Sequence, residues 1–138
     1  IFIPHLKDDK FEGVCPYHGD CLEGLASGPA IQKRWGVKSA LDLTPGHEAW
    51  DLEATYLGYA MANYIMIMSP QRIILGGGVM QHPGLVEKVQ KETVRHLAKY
   101  IDNSTIDAIE DTIVAASFGQ NTGVLGSLAL AKLALKDS

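Results

Sequence analysis

The sequence has little charge, few cysteines and no long apolar run, and each shortage excludes something. Charged residues make up 20% of its 138 positions, and the formal charge is −4. That mild acidity argues against a broad nucleic-acid-binding face. No apolar run is long and unbroken enough to span a bilayer as a helix. Two cysteines cannot make the dense disulfide framework of a small secreted scaffold. No internal repeat, low-complexity tract, Walker pattern or Gly-x-Gly-x-x-Gly fingerprint is visible. No basic, apolar and small-residue targeting pattern opens the chain either. It starts at Ile1 and reads as a fragment or a processed chain, so groups that do chemistry are expected outside it. The 46% hydrophobic content is too high for a disordered polypeptide and suits one domain with a real core.

Ile1-Phe2-Ile3-Pro4 is a short apolar run closed by proline and reads as a strand end. His5 to Asp20 has no regular period and reads as a loop. Leu22 to Ala26 and Pro29 to Trp35 read as two helical pieces, broken at Ser27-Gly28-Pro29 and stopped at Gly36. Thr44-Pro45 offers a helix start, and a helix from about Glu48 to Met68 is apolar nearly all round after Ala54, so burial on more than one side is expected. Arg72 to Leu75 reads as a buried strand running into Gly76-Gly77-Gly78. Pro83 to Ile101 is the clearest amphipathic helix, with Val86, Val89, Thr93, Leu97 and Tyr100 on one face. A polar, acidic stretch from Asp102 to Asp111 precedes a second strand over Thr112 to Ala116. Asn121 is placed to cap a last helix that runs to Leu135. A strand–helix–strand series of this kind favours α/β with a parallel portion of sheet.

The strongest local signal is His5, Cys15, His18 and Cys21, spaced H-x9-C-x2-H-x2-C. Two thiolates and two neutral imidazoles suit tetrahedral zinc, and their charges balance the ion. Four protein ligands close such a site, so the zinc would be structural. A disulfide or two free thiols beside exposed histidines is the alternative. Glu23 follows two residues later and could accept hydrogen bonds from substrate hydroxyls; as a helix-start glutamate it would simply favour the dipole. Gly76, Gly77 and Gly78 leave main chain bare after a strand, which suits close approach of a nucleotide or only a tight turn. His47, His82 and His96 sit near helix termini or on exposed faces and read as structural. Trp35 and Trp50 read as core or interface anchors.

The run Cys15-Pro16-Tyr17-His18-Gly19-Asp20-Cys21-Leu22-Glu23-Gly24-Leu25-Ala26-Ser27-Gly28-Pro29-Ala30 resembles the zinc-loop signature of the ROK (repressor, open reading frame, kinase) family, and its Cys-Pro-Tyr-His-Gly-Asp-Cys resembles the bacterial fructokinase branch. The commoner family form is Cys-x-Cys-Gly-x-x-Gly-Cys; here a histidine replaces the middle cysteine and the loop is one residue shorter. Ile73 to Met80 is similar to the family's nucleotide-side turn, and Gly119 to Gly126 to its final loop and helix.

The resemblance implies an actin-like, ribonuclease-H-like ATPase fold with sugar and ATP meeting between two domains. Residues 1–138 would be the carboxy-terminal domain, with a zinc-binding loop region at 1–24 and a helical α/β portion at 25–138. The amino-terminal domain and the catalytic base match nothing in the chain, which is therefore expected to be inactive by itself. The resemblance further implies zinc at His5, Cys15, His18 and Cys21, a sugar contact for Glu23 and a nucleotide contact at Gly76, Gly77 and Gly78. It implies Mg²⁺ and ATP, fructose or a related hexose, a cytoplasmic homodimer, and neither nucleic acid nor membrane as partner. A ROK sugar-sensing regulator without kinase activity, or a zinc-stabilised sugar-binding domain, are the other expectations.

Overall fold

The computed structural model describes residues 1–101 and 104–135. Asp102, which heads the acidic stretch, lies outside the described residues. The elements in chain order are α1 (Leu22–Leu25), α2 (Gly28–Trp35), α3 (Ala49–Met68), β1 (Ile73–Leu75), α4 (Leu85–Leu97), α5 (Ser104–Asp107), α6 (Ile109–Thr112), β2 (Ile113–Ala115) and α7 (Thr122–Ala134), with short 3₁₀ turns at Ala40–Asp42, Val79–Gln81 and Gly119–Asn121. β1 and β2 pair in parallel, Ile73 opposite Ile113 and Leu75 opposite Ala115. The connection between them runs through α4, as the strand–helix–strand order predicts.

The core sits between α3 and α4, with α1, α2 and the loops packed around it. Trp50, Tyr56, Leu85, Val89, Leu97 and Ile113 are all fully buried there. Helices approach this closely only where side chains are small. A Cβ on Gly58 of α3 would stand 2.6 Å from the Glu92 Cβ on α4, so that crossing requires glycine. Thr93 is buried in α4 because its hydroxyl bonds back to the Val89 carbonyl at 2.7 Å, leaving its methyl for the core.

Helix ends follow local chemistry. The Ser27 side chain accepts from the Ala30 N–H at 3.3 Å, with Pro29 in the first turn, and Gly36 ends α2 in the left-handed conformation. α3 starts at Ala49 and not at Thr44-Pro45: the His47 ring accepts from the Ala49 N–H at 3.1 Å, and the Thr44 carbonyl accepts the Trp50 indole N–H at 2.9 Å. Both groups thereby hold the entry loop in a turn. Asn121 occupies the cap position of α7, but its side chain makes no cap bond.

Two sequence expectations fail, and a third, that α3 is buried on more than one side, holds through Ala60, Met61 and Ala62 but not at its end, because the neighbour they presuppose does not flank them here. Ile1–Pro4 is not a strand; among the described residues its main-chain contact is a single bond from the Leu22 N–H to the Ile1 carbonyl, 2.9 Å. The strand at Ile73–Leu75 is covered on one face only, and Ile74 is 64% exposed. The last turn of α3 projects, with Ile67 80% exposed. Tyr100 also departs from its expected face, because α4 stops at Leu97 and Ala98 and Lys99 turn left-handed. The acidic stretch is not wholly irregular, since it carries the short helices α5 and α6.

Candidate metal loop and nucleotide turn

The loop from His5 to Asp20 is folded by its main chain. Cys15 and Gly19 exchange two hydrogen bonds, at 3.2 and 3.0 Å, making a tight turn around Pro16-Tyr17-His18. The Val14 N–H donates to the Gly24 carbonyl at 3.0 Å and ties that turn to α1. The contact leaves no space: a Cβ on Gly24 would lie 1.8 Å, and one on Gly13 2.1 Å, from the Gly19 carbonyl oxygen. The loop can therefore close only with hydrogen at both positions.

This closure gathers three of the four expected ligands. The ligand atoms of Cys15, His18 and Cys21 lie within 4.8 Å of one another, and the Cys15 Sγ stands 3.7 Å from His18 Nδ1. The Cys15 thiol is brought down to about 7, first by the Tyr17 main-chain N–H, then by that of His18, with the His18 and Cys21 side chains helping. A sulfur already inclined to ionise, a second thiol and an imidazole fit a zinc ion by the chemistry of the donor set. No bond joins the two cysteines, which are free thiols. His5 lies outside this group. Its ring stands between carboxylates, Nδ1 3.5 Å from Asp20 and Nε2 3.7 Å from Asp9.

Asp9 fastens the loop to the helices, a role the sequence did not announce because its partners are 25 and 47 residues away. Arg34 of α2 reaches both Asp9 oxygens at 2.5 Å and lies over the Phe11 ring, 4.2 Å from its centre. The Tyr56 hydroxyl of α3 donates to Asp9 at 2.5 Å. Burial alone would raise the Asp9 carboxyl, but Tyr56, Arg34 and the Phe11 N–H outweigh it and hold it below its ordinary value. Nearby Glu53, 3% exposed, is instead pushed up to about 8 by burial, and the Arg34 charge offsets this only in part. One guanidinium thus faces two carboxyls, and only the one it bonds directly is ionised at neutral pH.

Glu23 stands exposed in the first turn of α1, two residues beyond Cys21. Gly76, Gly77 and Gly78 follow the carboxyl end of β1 and are all exposed, with Gly77 at φ +100°. They adjoin the carboxyl end of β2: a Cβ on Gly76 would rest 3.6 Å from the Ala116 Cβ. Ligand crevices in parallel α/β sheets form at that end of the strands. The metal-loop side and the glycine turn meet where Gly28 of α2 faces Val79, 3.7 Å from a built Cβ to the valine methyl.

The ROK family model matches residues 5–134. A Bacillus subtilis (strain 168) protein named "Putative fructokinase" is 47% identical over 137 residues, which cover 99% of this chain and 46% of that protein. A fructokinase of Zymomonas mobilis is 40% identical over 133 residues, covering 95% of this chain and 43% of its own length. The chain thus spans about half the length of these relatives. A crystal structure of ROK hexokinase from Thermus thermophilus superposes with a TM-score of 0.68 at 23% identity, over 97% of this chain and 48% of that one. The fold is that of ROK sugar kinases, an actin-like ATPase fold. Among the described residues, no helix is long and apolar enough to cross a membrane. With the family match extending over nearly all of its length, the chain belongs to the ROK family.

Proposed function

We propose that this chain is the carboxy-terminal domain of an ATP-dependent fructokinase that moves the γ-phosphoryl group of ATP to D-fructose. The observation that carries this reading is the gathered Cys15, His18 and Cys21 cluster immediately before Glu23, in a chain 47% identical to a protein named for fructose phosphorylation. Zinc held by Cys15, His18 and Cys21, with His5 as fourth ligand once its ring leaves Asp20, has a structural role: it supplies no chemistry beyond fixing the loop. Glu23, carried on the first turn after that loop, accepts hydrogen bonds from sugar hydroxyls. Gly76, Gly77 and Gly78 hold the nucleotide, and Mg²⁺ travels with ATP. In phosphoryl transfer the protein chiefly positions groups and stabilises charge. The base that deprotonates the sugar belongs to an amino-terminal domain outside this chain, and two such proteins form a homodimer in the cytoplasm. The bare outer face of β1 and α7 supports that domain arrangement, as does the half-length match to the relatives.

The test is ATP-dependent phosphorylation by the whole protein across hexoses, with zinc measured in the same samples. Fructose as preferred acceptor and about one zinc per chain are expected, with zinc lost in Cys21→Ser and weakened in His5→Ala. Preference for glucose or an N-acetylated hexose overturns the fructose assignment. Sugar binding with no phosphorylation favours a ROK sugar-sensing regulator. Full zinc in His5→Ala removes His5 from the ligand set.

A further inference from the structure

Between Leu75 and Leu85 the chain is exposed or half-exposed at every position except one: His82 is 7% exposed. Its ring stacks on Trp50 of α3, with centroids 3.9 Å apart and planes at 26°. Trp50 is itself fully buried and tied through its indole N–H to the Thr44 carbonyl. The main chain of His82 is bonded on both sides. Its N–H donates to the Val79 carbonyl at 3.2 Å, and its carbonyl accepts from the Leu85 N–H at 3.3 Å. His82 is thus the one fully packed side chain between the glycine turn and α4, with Val79 and Met80 half-buried against the core beside it.

We infer that His82 is the positioning residue of the Gly76–Gly78 turn, clamping that segment onto Trp50 only as a neutral imidazole and loosening it when protonated. The inference rests on the glycine turn being the nucleotide contact proposed above. The physical reason lies in the surroundings of the ring. Neither ring nitrogen has a partner in good hydrogen-bonding geometry, so an imidazolium there would be a buried and poorly satisfied charge. Around the ring stand the Trp50 face from α3, Lys88 from α4 and the Pro45 carbonyl from the loop before α3. Burial opposes the cation first and Lys88 repels it; the Pro45 carbonyl favours it but is outweighed, so the ring titrates below its ordinary value of 6.5. Lys88 is only partly neutralised, by an exposed ion pair with Asp51. A group whose folded pKa is lowered favours folding above its unfolded pKa and loses that contribution as pH falls, so the clamp loosens on the acid side.

Two measurements test this. In a Trp35→Phe background Trp50 is the one indole left among these 138 residues, and the difference in emission between the proteins with and without His82→Phe reports the stack. Falling pH should quench or shift that emission with a midpoint below 6.5, and His82→Phe, which keeps an aromatic ring but cannot take a proton, should flatten the curve. In the whole protein, KM for MgATP should rise about threefold or more from pH 7.5 to 5.5 relative to His82→Phe, with kcat changing less. Because ATP itself titrates in this range, the difference between the two proteins is the readout. An emission curve that ignores pH, or is unchanged by His82→Phe, overturns the clamp. If His82→Phe fails to fold, NMR titration of the unsubstituted ring decides the same question: a midpoint at or above 6.5 overturns the clamp. A titrating stack with pH-independent KM overturns the coupling, provided Gly77→Val raises KM for ATP. If Gly77→Val leaves KM unchanged, the nucleotide assignment of the turn fails and the positioning role falls with it.

Discussion

α4 and α7 are both 13 residues long, and they stand in opposite surroundings. α4 buries Leu85, Val89, Thr93 and Leu97 and turns its charges outward. α7 carries leucine, valine and alanine on nearly every side, yet no residue of it is buried. Leu128, Leu130 and Leu133 are 57–70% exposed. The groove between α7 and β2, a cavity of about 380 Å³ lined by Ile74, Val114, Phe118 and Leu125 among others, is equally apolar. An amphipathic helix states in its own sequence which face has a neighbour. A helix apolar all round states only that it has several. The α3–α4 half, with the metal loop fastened to it, covers most of its apolar faces within this chain, whereas α7 and the outer face of β1 leave theirs open.

The sharpest way to break this comparison is to place the same small group in each half. Gly24→Ala drives a methyl into the Gly19 carbonyl, so the metal loop cannot close. The expected cost is about 3 kcal/mol of stability, with zinc per chain falling towards nothing, read by thermal melts and metal analysis. A Gly24→Ala protein that melts normally and keeps its metal would show that the loop is not set by main-chain packing.

A second prediction concerns charge in the covered half. Glu53 is protonated when folded near neutral pH because its pKa has risen from 4.5 to about 8. Its contribution to stability is full below 4.5 and is lost as pH rises through about 8. Glu53→Gln should therefore flatten the decline between pH 4.5 and about 8, becoming up to roughly 5 kcal/mol more stable than the unaltered protein near pH 8.5, measured by urea melts along a pH series. Parallel curves for the two proteins would place the Glu53 carboxyl in water.

The smallest effect is expected in the open half. A Cβ on Gly123 of α7 meets nothing within 4 Å. Gly123→Ala should thus gain up to about 1 kcal/mol from helix propensity, visible as a small rise in melting temperature. A loss of several kcal/mol in the whole protein would locate a close neighbour against that position.

Much of the fold is legible in the residues themselves. The α4 stripe, the Gly36 stop and the Pro29 start rest on patterns a few residues long, while the parallel β1–β2 pairing, whose partners stand 40 positions apart, follows from the strand–helix–strand order. Cys15, His18 and Cys21 are again short-range, since their two-residue spacings bring them together through one turn. His5 is different: ten positions separate it from Cys15, and Asp9 and Asp20 compete for its ring. The Asp9–Arg34–Tyr56 fastening and the His82–Trp50 stack were not legible, because each joins residues 25 or more positions apart. A histidine after a glycine turn looks alike whether it is solvated or stacked.

By itself, the sequence determined the helices with a marked polar face, the turn positions that only glycine fits and the short-range metal triad, since propensity and spacing act over a few residues. Tertiary structure alone decided which apolar faces are covered, which of two carboxyls Arg34 holds ionised and which histidine is buried. Those outcomes depend on desolvation and on partners that chain folding, and not chain order, brings into contact.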